Sequence, residues 1–63
     1  MLEQALLREQ FQALLEQQRH AVRVYADLAG NANDPSVKQE AQQIQRDKER
    51  HILLTERLLE IVD

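Results

Sequence analysis

Cysteine is absent from all 63 residues, so no disulfide can staple the fold and a Cys-rich structural zinc site is excluded. That absence also fits a reducing compartment, and we expect a cytoplasmic protein. Tryptophan is missing, and Phe11 and Tyr25 are the only aromatic residues. Glycine and proline occur once each, as Gly30 and Pro35, which leaves long stretches on both sides free of helix breakers. No apolar run approaches the roughly 20 residues needed to span a bilayer. Met1 to Arg8 shows no basic start followed by an apolar core, so no signal peptide is expected. Positive charge is in deficit: the net charge is −3 and the pI is near 5.3. That balance argues against a nucleic-acid partner held by phosphate neutralisation. With no Ser/His/Asp or Cys/His arrangement and no Gly-rich phosphate loop, no catalytic residue is assigned.

What remains is rich in Leu, Ala, Gln, Glu and Arg, all good helix formers. From Leu2 to Ala29 the residues Leu7, Phe11, Leu14, Gln18, Ala21, Tyr25 and Leu28 recur at alternating intervals of four and three. This spacing keeps them on one face of a helix over residues 2–29. Gly30 suits a left-handed helix end, and residues 30–34 form the turn. Asp34 is a good N-cap and Pro35 fits the first helical position; Ser36 with Gln39 is an alternative capping box. A second helix follows over 35–62, with the stripe Val37, Ala41, Ile44, Lys48, His51, Thr55, Leu58 and Val62. The expected fold class is all-α: one antiparallel two-helix hairpin, with no linker for a second domain.

Folding the chain back at the turn pairs Gln18 with Lys48 and Leu14 with His51, between apolar layers at both ends. Gln18, Lys48 and His51 thus form a polar core layer, where buried polar groups need partners. A chain of this size buries only about 60% of its unfolded surface and needs additional support. The apolar surface is also too wide for two helices to cover. We therefore expect a homodimer forming a four-helix bundle, with Leu7, Phe11, Leu14, Leu15, Val22, Ile44, Ile52, Leu58 and Leu59 as its interface. Leu6, Ala13, Val24, Leu54 and Ile61 widen the surface further and leave room for a larger protein partner.

The segments Val22 to Ala29, Asn33 to Lys38 and Asp47 to His51 resemble one half of a rubrerythrin or ferritin-like protein. In such families a buried Glu on one helix and Glu-x-x-His on the next bind a di-iron centre between four helices. The resemblance implies that His51 occupies the histidine ligand position. Lys48 stands where the glutamate of Glu-x-x-His would be, and Gln18 replaces the first-helix glutamate. A di-iron site needs anionic oxygens, so these exchanges imply a bundle without iron and without oxidase or storage activity. The alternative is iron or another divalent metal held by His51 with Asp47 or Glu49 at the dimer core.

Each polar residue also has an ordinary structural explanation. The stem of Lys48 can pack inside while its ammonium reaches water, or Lys48 can donate to Gln18 across the layer. Gln18 can set the register of a dimer, as single polar residues do in coiled coils. His51 can be a satisfied core histidine or pair with Asp47 one turn earlier. Glu16 and His20 have the same ligand spacing as Asp47 and His51 but lie opposite the core stripe, which makes them a solvated pair. The alternating charges Lys38, Glu40, Arg46, Glu49, Arg50, Glu56, Arg57 and Glu60 read as a solvated face.

Overall fold

Two runs of helix formers separated by a three-residue break give two helices, α1 (Leu2–Asn31) and α2 (Pro35–Val62). The computed structural model describes residues 2–62. The helices lie side by side as an antiparallel hairpin whose Cα atoms span 50 × 14 × 10 Å, so the molecule is one helix thick. Among the described residues there are no strands.

α1 runs two residues past the expected end, because Gly30 stays helical instead of closing the helix. Its φ is not positive, and the last turn is completed when the Ala32 N–H donates to the Leu28 carbonyl at 2.9 Å. The left-handed cap is therefore not used. α2 begins as expected. The Asp34 carboxylate accepts from the Ser36 N–H at 2.8 Å and its carbonyl accepts from the Lys38 N–H at 3.0 Å. Asp34 is thus the N-cap, and Ser36 already lies inside the helix.

The seam between the helices is lined by Phe11, Leu15, Gln18, Val22, Tyr25 and Ala29 of α1 and by Ala32 just beyond it, all buried or half-buried. On α2 it is lined by Ala41, Gln45, Lys48, Ile52, Thr55, Leu59 and Val62. Both sets keep the four-three rhythm of an apolar helix face. Compared with the stripes read from spacing, each is rotated about its own helix by about 45° at 100° per residue. The physical reason is size. Ala29 and Ala41, 5% and 2% exposed, fill the centre of the contact, whereas bulky Leu14, Leu28 and Leu58 lie to its side.

The core is correspondingly thin. Among the described residues Leu15, Ala29 and Ala41 are the buried apolar ones, with Thr55 the buried polar one at 4% exposure. The Thr55 Oγ1–H donates to the His51 carbonyl at 2.8 Å, which satisfies the hydroxyl without any cross-helix partner. Leu6, Leu7, Leu14, Val24, Leu28, Leu54, Leu58 and Ile61 remain exposed.

Candidate interaction face and polar layer

Helical geometry decides where the exposed apolar side chains point. On α1, Leu7, Leu14 and Leu28 lie to one side of the seam, flanked by Leu6 and Val24. On α2, Leu54, Leu58 and Ile61 lie to one side of the seam, next to half-buried Ile44. Both groups are displaced toward lower helical angle from their seams. Because the two helices run antiparallel, that displacement brings them to the same face of the hairpin. The opposite face carries Glu9, Gln12, Glu16, Arg19 and Arg23 from α1 with Gln42, Glu49 and Glu56 from α2. Leu53 is the one large apolar residue of α2 on that polar side, half exposed.

Of the nine residues expected at a dimer interface, six are used inside the hairpin. Leu15 is buried, and Phe11, Val22, Ile44, Ile52 and Leu59 are half-buried. Leu7, Leu14 and Leu58 stay exposed on the apolar face. Rotation of the seam is the cause.

The three residues of the expected polar layer part company for the same reason. Gln18 and Lys48 are half-buried at the seam, whereas His51 is exposed, so within the hairpin it is not a core histidine. The Gln18 side-chain oxygen is buried and accepts no hydrogen bond. Lys48 therefore does not donate to Gln18, and its ammonium is explained by a stem packed at the seam with the charge directed to water. An unpartnered buried amide oxygen is costly.

Asp47 does not pair with His51. Its carboxylate accepts from Arg50 at 2.7 Å and more weakly from Gln43 at 3.5 Å. Glu49 accepts from Gln45 at 3.0 Å. Because α2 is helical throughout this segment, Glu49 projects about 160° or more from His51 and Asp47. The structure brings Asp47 and His51 to one flank and Glu49 to the other. Among the described residues no three acidic, His or Cys side chains gather as a metal group, and no pocket forms. Glu16 and His20 are both exposed, on the polar side of α1. No helix of the described residues is long and apolar enough to cross a membrane.

No family model, curated protein or solved structure matches the chain. The likeness to ferritin-like proteins therefore rests on the quoted residues alone. Spacing did not reveal Ala29, Ala32 and Gln45 as seam residues.

Proposed function

We propose that this chain is a homodimeric assembly module, structural and non-catalytic, in which two hairpins pair through their apolar faces as a four-helix bundle. The observation that carries this reading is the 45° offset between pattern and packing. In a square bundle each helix has a neighbour on two sides, and the central axis lies roughly midway between them, about 45° from either. The apolar stripes of α1 and α2 are both centred on that direction, while the hairpin occupies only one of the two neighbour positions. The second neighbour of each helix is supplied by another copy.

The surface area agrees. A compact monomer of 7.4 kDa exposes roughly 4,200 Å² by the usual mass scaling, whereas this hairpin exposes 4979 Å². The excess, roughly 800 Å², is about what one partner contributes to a standard stable interface. A second copy has the same length and the same two-helix width, so it covers the face from end to end. Equilibrium sedimentation at micromolar concentration is the direct test. A particle of twice 7.4 kDa is expected; a stable folded monomer would refute the proposal.

A further inference from the structure

We infer that the second copy docks with its turn at the same end of the bundle, so that α1 of each hairpin lies against α2 of the other. This rests on the homodimer reading above. Two twofold arrangements bring the apolar faces together. With the axis along the helices, turns share an end and α1 meets the second copy's α2. With the axis across the helices, turns lie at opposite ends, and α1 meets α1 while α2 meets α2. Neighbouring helices are antiparallel in both cases, so helix direction does not separate them.

The distribution of side chains along α2 does. Of its exposed apolar residues on this side, Leu54, Leu58 and Ile61 lie in the C-terminal half, and Val37, 42% exposed, stands alone in the first turn. The N-terminal half of the same flank carries Ser36, Gln39, Glu40 and Gln43, all exposed. In the opposite-end dimer at full overlap, Leu54 would stand against Gln43, Leu58 against Gln39 and Ile61 against Ser36. In the same-end dimer Leu58 stands level with Leu7 of the second copy's α1, Val37 level with Leu28, and Leu54 and Ile61 each within one turn of Leu14 and Leu6. Apolar burial drives association, so the arrangement that matches leucine to leucine prevails.

Charge favours the other arrangement, but weakly. Opposite-end pairing would set Asp47 against Arg50 and Glu40 against Arg57. These groups are solvent-exposed or nearly so, and Asp47 is already paired with Arg50 of its own helix at 2.7 Å. Exchanging one exposed ion pair for another contributes little. A ferritin-like bundle joins its hairpins by one long crossover, which puts their turns at opposite ends. The arrangement inferred here is therefore a different bundle.

A spin label at the turn reads the orientation. Asn33 is exposed and lies outside both helices, and the chain has no other cysteine, so Asn33→Cys takes one label per copy. Neighbouring helix axes lie roughly 8–10 Å apart, so same-end turns place the labels within about 25 Å in a dipolar distance measurement. A distance near the 50 Å length of the hairpin would overturn the inference while leaving the dimer intact. Absence of any dipolar coupling would overturn the dimer itself. As a second measurement, Leu7→Cys and Leu58→Cys chains are mixed and oxidised. A mixed disulfide in large excess over either homodisulfide is expected, and its absence in a mixture that sediments as a dimer would count against same-end docking.

Discussion

Gly30 sits in a helical conformation with open space where a Cβ would go. Nothing lies within 4 Å of that position, and its φ is not positive. A glycine held in a helix loses more backbone freedom on folding than alanine and returns nothing for it here. Gly30→Ala is therefore expected to stabilise the protein by about 0.5–1 kcal/mol, read as a higher midpoint in urea unfolding. A loss of stability would show that the glycine does close the helix. Gln18 and Lys48 are polar residues at the seam, and neither donates to or accepts from the other. Leaving a buried acceptor without a donor costs about 1–3 kcal/mol, so Gln18→Leu in isolation should stabilise the fold by about 1 kcal/mol. If the second copy supplies the donor, that gain shrinks and the bundle loses its polar layer. The variant then populates more than one oligomeric size on native mass spectrometry, as bundles without a polar register residue can. Lys48→Met keeps the stem and removes a charge that has no acidic partner. A change within about 1 kcal/mol, neutral or stabilising, is expected. A large fall in melting temperature would show that the ammonium is bonded inside.

The helices themselves were legible in the sequence because their signals are local. Asp34 and Pro35 mark the start of α2 through one capping bond and one preset φ, and both operate as spacing suggests. What spacing cannot give is rotation about the helix axis. Leu14 and Leu15 both fall on the apolar arc of α1, yet Leu15 is buried and Leu14 is 37% exposed. A stripe that serves two neighbours has its centre between them, so the average direction of the leucines points at neither. Only the small residues report which side the covalently joined helix takes. Ala41 tests this. At 2% exposure it is enclosed by the seam, and Ala41→Leu would wedge the helices apart. A loss of about 1–3 kcal/mol is expected from overpacking, measurable by thermal melting. The same change at exposed Gln42, on the polar side, should leave the melting temperature almost unmoved. His51, like Leu14, lies to the side of the seam within the hairpin, on the flank that the average direction of the stripe includes and the joined helix does not cover.

A hairpin one helix thick with so few buried side chains has little to hold it together alone, since a stable domain needs a second layer to cover its apolar face. If a second copy supplies that layer, folding and association are one event, and the melting temperature rises with protein concentration. The face can be attacked selectively because α2 offers a matched pair of leucines. Leu58 is 43% exposed on the apolar side and Leu53 is 50% exposed on the polar side, so both tolerate a longer polar side chain equally well in a single hairpin. Leu58→Glu would place a carboxylate of each copy against the leucines of the other, where burying an unpaired charge is far costlier than the leucine contact it replaces. Leu53→Glu adds the same charge in the same helix with water around it. The Leu58 variant is expected to lose its dimer in sedimentation and much of its helical circular dichroism at micromolar concentration, while the Leu53 variant keeps both. Equal damage from the two would show that charge or helix propensity, and not a covered face, governs the stability of this chain.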